Sequence, residues 1–109
     1  PTNRRQRQMC IRDRHITYNQ EVKEGDEVDV NLLYFDHDKK RLQYKLEMIH
    51  KEKKFLASTI EILSLYVDLD QRKVSEFESE KIIIMKEFIK SNSQNFKSDN
   101  LIFSNKLKK

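Results

Sequence analysis

Apolar and polar residues alternate along three segments of the chain, and this period of two predicts β-strands. Val28–Phe35 has one apolar and one mixed face, and Leu42–Met48 has one apolar and one polar face. In Phe55–Leu69 both alternating sets are largely apolar, which is typical of a central strand that is covered on both faces. A shorter β-prone segment, His15–Val22, comes before them. The short polar links favour an antiparallel meander, because parallel pairs need crossovers of about a dozen residues or more.

The period changes to that of a helix after the last strand. Apolar residues between Ile82 and Ile89 are interleaved with lysines and a glutamate, which predicts an amphipathic helix of about three turns with Ser79 or Ser75 as its N-cap. Residues 91–109 are rich in Asn, Ser and Lys, and we expect them to form a flexible tail. The sequence therefore predicts an α+β fold with an antiparallel sheet of about four strands and a C-terminal helix.

The composition limits the size and chemistry of this fold. A chain of 109 residues with 37% hydrophobic content supports one small domain with a modest core. No segment approaches the roughly 18 consecutive apolar residues of a membrane span, and the arginine-rich start does not have the pattern of a signal peptide. The single Cys10 excludes an internal disulfide, and three scattered histidines lack the spacing of metal ligands. We therefore expect a cytoplasmic protein with no metal and no cofactor.

The net charge of +4 is concentrated at the N-terminus. Residues 1–14 contain five arginines and one aspartate, whereas residues 15–109 contain 17 basic and 17 acidic side chains. One hypothesis is a nucleic-acid-binding protein with a basic arm, because clustered arginines bind phosphate backbones through counterion release. The other is a non-native leader: Met9–Arg14 is one reading of ATG TGT ATA AGA GAC AGR, which resembles a transposon-end adapter of sequencing libraries.

We favour the leader, and expect neither nucleic acid nor a membrane as a partner. The predicted organisation is then a non-native leader at residues 1–14, a folded domain at 15–90 and the tail at 91–109. Within the folded domain, several short segments follow one another in a recognisable order. They are His15–Tyr18, Glu21-Val22, Gly25-Asp26, His37–Leu42, Leu56–Thr59 with Glu61, Tyr66–Leu69 and Arg72–Val74.

In this order and spacing the segments resemble the hot-dog-fold acyl-CoA thioesterases, a superfamily that includes enzymes similar to 4-hydroxybenzoyl-CoA thioesterase. Within it they look most like the thioesterase associated with carnitine dehydrogenase, whose substrate class is betainyl-CoA. The resemblance implies a partial hot-dog fold that lacks the first strand and the central helix, which the family places before His15. It also implies a homodimer or higher oligomer, a place in carnitine metabolism, and release of CoA and a carboxylic acid from a small acyl-CoA.

The resemblance also implies where the catalytic residues belong. The family supplies an Asp-containing loop and a helix N-terminus upstream of His15, so no catalytic residue is identified in this chain. If the central helix is absent, the apolar face of the sheet has lost its cover and the edge beside Val28–Phe35 has lost its partner. We expect exposed apolar surface and poor solubility from this arrangement.

Three residues of the longest predicted strand are candidates for substrate binding. Glu61 is a carboxylate in the most apolar segment, where a charge is costly unless it is paired. It could bind a cationic acyl group or act as a second carboxylate, but pairing with a lysine at the sheet surface or dimer seam is the alternative that we favour. Ser58 and Thr59 could contact the thioester or the pantetheine arm, or could be ordinary sheet positions.

The basic turn Lys39, Lys40 and Arg41 is a candidate for binding the phosphates of coenzyme A. The alternative is a solvated hairpin turn. His37 lies between two aspartates, but neighbours in sequence do not make a catalytic triad, and a nucleophile is absent. Two functions remain as alternatives to thioester hydrolysis: a non-catalytic acyl-CoA-binding or dimerisation module of the same fold, and the basic-armed nucleic-acid-binding protein.

Overall fold

The computed structural model of the chain describes residues 6–107. It contains an antiparallel sheet of five strands, one α-helix after the sheet and a short 3₁₀-helix, which confirms the predicted α+β arrangement. The elements are β1 (Arg7–Tyr18), β2 (Val28–His37), β3 (Arg41–His50), β4 (Leu56–Asp68), the two-residue β5 (Lys73–Val74), α1 (Ser79–Asn92) and the 3₁₀-helix Ser93–Asn95.

The four long strands lie in the order β1-β4-β3-β2, with β5 pairing beside the end of β4. Strand β4 is therefore central, and Glu61–Ser64 are buried on both of its faces, as the doubly apolar pattern predicts. The meander is confirmed for β2, β3 and β4 but is wrong for the first strand, which pairs with β4 instead of β2. The connection over residues 19–27 makes this possible, because it is long enough to carry the chain away from β1 before β2 begins.

Strand β1 begins at Arg7, earlier than the predicted segment His15–Val22. Its residues pair with β4 from Arg7 opposite Asp68 to Tyr18 opposite Ser58, with one irregularity between Ile11 and Asp13. Ladder hydrogen bonds join backbone groups, so an arginine-rich segment can complete the strand without an apolar pattern. Residues 7–14 are thus a paired strand, not a free basic arm. The non-native origin of residues 1–14 stays a prediction, and residues 1–5 lie outside the described residues.

The sheet has two chemically different faces, since directly paired residues project to the same side. The polar face carries Tyr34, Lys45 and Glu61, which are paired in register across three strands. The apolar face carries the adjacent register positions, including Val30 and Ile11, each of which is 56% exposed. The apolar face is thus partly uncovered, and β2 lies at the edge of the sheet, both as predicted.

Helix α1 is held at its start by a hydrogen-bonded group on the sheet. The Tyr66 hydroxyl lies 2.5 and 2.9 Å from the two carboxylate oxygens of Glu78, and the Lys81 ammonium donates to the same hydroxyl at 2.8 Å. The N-cap is Glu78, so the predicted caps Ser79 and Ser75 are wrong. Ser79 is the first helical residue, because the bond to Tyr66 fixes Glu78 in an extended conformation immediately before it.

The hydrogen bonds between Tyr66 and Glu78 predict a contribution to stability that is lost at low pH. The hydrogen bond from Tyr66 lowers the pKa of Glu78 below its ordinary value of 4.5. A carboxyl group whose pKa is lower in the folded state than in the unfolded state stabilises the fold at pH values above its unfolded pKa. This contribution is lost as the pH falls through the folded pKa. Between pH 7 and pH 3 we expect the urea midpoint of the natural chain to fall further than that of Glu78→Gln. Glu80→Gln, an equal charge change on the same turn, is the control, and parallel profiles for all three proteins would contradict the prediction.

The chain after α1 passes around the outer edge of β2 and onto the polar face. Lys97 donates its backbone N–H at 2.7 Å to the carbonyl of Leu33, a residue of β2 that is not paired with β3. The backbone N–H groups of Ile102 and Phe103 then donate to the Glu61 carboxylate, each at 2.8 Å. Three residues of the predicted tail are thus hydrogen-bonded to the sheet. The flexibility of residues 91–109 stays a prediction.

Candidate functional site

A cavity of about 780 Å³ lies between the β2–β3 turn and helix α1. Its wall is largely apolar, and three lysines and three acidic residues contribute to its lining. The apolar part is formed by Phe77, Ile82, Ile83 and Ile89, and the other lining residues are Lys39, Lys86, Lys90, Asp36, Asp38, Glu76, His37 and Ser79. Cavities of this size and apolar character, with a few polar groups, are typical of small-molecule sites.

Phe77 connects the sheet to the helix at this cavity. Its ring stacks on Tyr66 with centroids 4.8 Å apart, and it meets the His37 ring edge-on at 6.5 Å. Its backbone N–H donates to the Lys39 carbonyl at 2.8 Å, which fixes the segment before α1 against the β2–β3 turn. A buried aromatic residue with two ring contacts and a backbone hydrogen bond is a rigid wall for the cavity.

The basic side chains of the cavity come from two elements. Lys39 lies on the β2–β3 turn, whereas Lys86 and Lys90 are one turn apart on α1 and so share a helix face. Among residues 6–107, none of these three ammonium groups has an ion-pair partner. They are therefore available to an anionic ligand.

Two of the acidic residues that line the cavity are engaged by the protein itself. The Asp38 carboxylate accepts from the Arg41 guanidinium at 2.8 Å and from the backbone N–H groups of Lys40 and Arg41 at 2.8 and 2.7 Å. Asp36 accepts from the Tyr34 hydroxyl at 3.1 Å and from its neighbour's backbone N–H at 2.8 Å. Their charges are thus committed to the turn, and the lysines dominate what a ligand would meet.

The hydrogen bond from Tyr34 to Asp36 is made by a neutral phenol. Burial, with the nearby Asp36 carboxylate as the second cause, raises the pKa of Tyr34 to about 12. Tyr34 therefore keeps its proton and remains a donor throughout the neutral range. This fixes one Asp36 oxygen and gives the end of β2 a defined polar arrangement beside the cavity.

The predicted basic turn contributes one of its three residues to the cavity. Lys39 lines it, Lys40 is exposed and outside the lining, and Arg41 is bound to Asp38. Sequence reasoning missed Lys86 and Lys90. Their spacing of four residues beside the apolar stripe of α1 was the available signal, but without the fold nothing connected it to the β2–β3 turn.

The other candidates are not brought together with the basic turn. Ser58 lies on the apolar face, opposite Met48, and Thr59 lies on the polar face, opposite Glu47. Arg41 pairs with Leu65, seven positions along β4 from Ser58 and so about 23 Å away at a typical strand rise. The described residues therefore do not combine the serine, the threonine and the basic turn into one site.

Glu61 is 2% exposed, and its carboxylate is occupied by the chain's own donors. It accepts from the Gln43 amide at 3.1 Å and from the backbone N–H groups of Ile102 and Phe103. A lysine partner at the sheet surface is thus wrong for the described residues, because backbone amides and an amide side chain take its place. Pairing with a lysine at a dimer seam stays a prediction. A substrate-binding role for Glu61, like those of Ser58 and Thr59, stays a prediction.

A second cavity, of about 320 Å³, lies at the opposite end of the sheet beside Gly25 and His50. The Lys53 backbone N–H donates to His50 Nδ1 at 3.0 Å, so Nε2 carries the ring proton that faces Asp26 at 3.2 Å. The hydrogen bond from the backbone N–H of Lys23 is the main cause that lowers the pKa of Asp26.

Residues 6–107 hold no cluster of three metal-ligating side chains, and none of their helices is long and apolar enough to span a membrane.

Comparison with solved structures finds a similar fold in a CoA-bound protein and in two thioesterases. A hypothetical protein from Staphylococcus aureus, solved in complex with CoA, is 25% identical with a TM-score of 0.68 over 87% of this chain and 57% of its own. The DHNA-CoA thioesterase from Staphylococcus aureus is 17% identical, with a TM-score of 0.69 over 81% of this chain and 60% of its own. The 12:0-ACP thioesterase from Umbellularia californica is 14% identical, with a TM-score of 0.60 over 96% of this chain and 38% of its own.

The latter two likenesses show the fold alone, and the chain spans less than two thirds of the length of each of these structures. The sheet and its helix match part of a hot-dog fold. No curated protein matches the chain significantly. The sequence model of the thioesterase-like superfamily matches residues 2–90, so the match begins within the arginine-rich segment and includes most of it. The chain belongs to the thioesterase-like superfamily.

Proposed function

We propose that the cavity beside α1 binds the coenzyme A part of an acyl-CoA thioester, and that the whole protein hydrolyses this thioester. The observation that carries the proposal is the cavity itself. It has a volume of about 780 Å³, a largely apolar wall, and three lysines that have no ion-pair partner among residues 6–107. The similar Staphylococcus aureus structure was solved in complex with CoA, which supports the same class of ligand here.

The two kinds of surface in the cavity correspond to the two ends of such a ligand. Coenzyme A presents phosphate groups, which lysine ammonium groups bind as compact point charges. The rest of the ligand is a longer, less polar arm with an acyl group, which suits the wall formed by Phe77 and the isoleucines of α1. The proposed phosphate-binding residues are Lys39, Lys86 and Lys90, which line the cavity, in place of the basic turn Lys39, Lys40 and Arg41 that the sequence predicts.

The hydrolytic step is a proposal about the whole protein. Water attacks the thioester carbonyl, the C–S bond breaks, and CoA leaves as a thiol with a carboxylic acid as the other product. This chemistry needs a carboxylate that activates water and N–H donors for the developing oxyanion. We assign no catalytic residue among residues 6–107.

Betainyl-CoA is the finer hypothesis for the substrate. A quaternary ammonium group favours an aromatic face and a carboxylate, and Phe77 and Glu76 both line the cavity. Ser58 and Thr59 stay candidates for the acyl end. Glu61 is a candidate only if residues 102 and 103 leave its carboxylate, because they occupy both of its oxygens. A homodimer, cytoplasmic location and a place in carnitine metabolism belong to the same proposal.

Removing the three lysines tests the binding step. We expect Lys39→Ala/Lys86→Ala/Lys90→Ala to weaken CoA binding about 100-fold, since each lost charge-assisted bond is worth roughly 1 kcal/mol or more at a partly exposed site. Isothermal titration calorimetry with CoA at low and high salt measures this loss. Lys23→Ala/Lys51→Ala/Lys53→Ala, with the same charge change at the other end of the sheet, is the control. Equal affinities for both triple variants, or no CoA binding by the natural chain, would overturn the proposal.

Thiol release separates hydrolysis from binding alone. Free CoA is measured with a thiol reagent after incubation with short aliphatic, aromatic and betainyl-CoA thioesters. Release from any of them supports hydrolysis, and a preference for betainyl-CoA supports the finer hypothesis. CoA binding without thiol release from the complete protein would favour the non-catalytic acyl-CoA-binding module.

A further inference from the structure

The Glu61 carboxylate is a buried charge whose partners come mostly from the C-terminal strap, which we define as residues 96–107. Oε1 accepts from the Ile102 N–H and Oε2 from the Phe103 N–H, so two adjacent peptide groups bind both oxygens. Among residues 6–107, the Gln43 amide is the one hydrogen-bond partner that remains if the strap leaves. A buried carboxylate with one neutral donor is costly, so the strap and Glu61 strongly favour each other.

The strap connects this anchor to helix α1. Its Lys97 N–H binds Leu33 at the β2 edge, and its Phe96 ring lies 6.1 Å from Tyr34 and 6.2 Å from Phe88 of the helix. Phe88 in turn meets Phe35 of β2 edge-on at 5.5 Å. The path from Glu61 to α1 thus consists of contiguous backbone bonds and aromatic contacts.

Helix α1 depends on such contacts because none of its residues is buried. Its first turn is held by the hydrogen bonds among Tyr66, Glu78 and Lys81. Its second half is held by the Phe88 contacts, and Lys86 and Lys90 lie on either side of this position. A surface helix without fully buried residues can move at one end when the contacts at that end are lost.

We propose that Glu61 is a positioning residue: by binding the C-terminal strap, it fixes the second half of α1 and holds Lys86 and Lys90 at the cavity. This assigns to Glu61 an action through the strap and the helix, in place of direct contact with substrate. The part of the inference that concerns ligand affinity rests on the proposed CoA site, whereas the part that concerns the helix does not.

Hydrogen exchange tests the mechanical part. In Glu61→Gln the side chain keeps one acceptor oxygen and replaces the other with an NH₂ group, which repels a strap N–H. We expect the amides of Ile102 and Phe103, and those near Phe88, to exchange about tenfold faster, while β3 and β4 keep their protection. Glu47→Gln, the same change on the same sheet face, is the control because within residues 6–107 Glu47 accepts a side-chain hydrogen bond from Asn31 and none from the strap.

A substitution in the strap tests the same contact without changing any residue of the sheet. Ile102→Pro removes one donor and leaves Glu61 unchanged. It is expected to reproduce the faster exchange near Phe88. Unchanged exchange near Phe88 in both variants, with the strap amides released, would overturn the proposal because the strap would then not hold the helix.

A double-mutant cycle tests the link to the ligand. If Glu61 acts through the two helix lysines, Glu61→Gln weakens CoA binding about fivefold in the natural chain and has no further effect in Lys86→Ala/Lys90→Ala. Additive losses would contradict the positioning role, since they indicate an independent effect of Glu61. If the natural chain binds no CoA, the CoA proposal fails, and the exchange experiment still decides whether Glu61 positions the helix.

Discussion

Replacing Leu63 with alanine is expected to lower the free energy of unfolding by about 2–5 kcal/mol, the range for truncating a buried leucine. Leu63 is 1% exposed and lies in β4, paired with Gln43 of β3 on one side and Asp13 of β1 on the other. Hydrogen-bonded neighbours on both sides limit how far the sheet can close around the lost atoms. Most of the cavity cost therefore remains, and urea denaturation followed by circular dichroism measures it.

Leu56→Ala is the matched control for this change. It is the same substitution at the beginning of the same strand, where the side chain is 37% exposed. Less apolar area leaves solvent on folding, so we expect a loss of about 1 kcal/mol or less. Similar urea midpoints for the two variants would mean that the centre of β4 is not packed as the structure describes.

The three later strands could be predicted because each one has its own hydrophobic period. The segment Phe55–Leu69 differs from β4 by one residue at each end, and its two apolar sets correspond to the strand with neighbours on both sides. The start of β1 could not be predicted in this way. An edge-side strand that pairs through its backbone needs no apolar side chains, and residues 7–14 have few.

The candidate site was harder to predict because its parts are distant in sequence. Lys39 and Lys90 meet at one cavity only because Phe77 fixes the start of α1 against the β2–β3 turn. The separation of Ser58 from Thr59 was available from the period of two, since neighbours in a strand project to opposite faces. The partners of Glu61 were not, because they are backbone N–H groups about forty positions away and any residue other than proline supplies one.

Deleting residues 1–14 is expected to have the largest effect of all, because it removes most of β1. Seven of the eleven paired positions of β1 lie between Arg7 and Arg14. At a net contribution of about 0.5–1.5 kcal/mol for each ladder bond, the loss approaches the whole stability of a small domain, about 5–15 kcal/mol. The deletion also bares an edge of β4 and removes the Arg7 contacts with Asp68 and Glu78. We expect a largely unfolded or aggregated chain by circular dichroism and size-exclusion chromatography.

A length-matched replacement distinguishes the strand from its sequence. If residues 7–14 contribute only backbone pairing, an alternating Thr and Val segment of equal length is expected to restore most of the stability that the deletion removes. A non-native leader predicts this outcome, because any β-prone segment would then serve as well. If the replacement stays unfolded, the arginines themselves stabilise the domain and the leader hypothesis loses its support. If the deletion variant unfolds at the same urea concentration as the natural chain, β1 does not extend to Arg7 in solution. The family match over residues 2–90 would then be the one observation that assigns residues 7–14 to the domain.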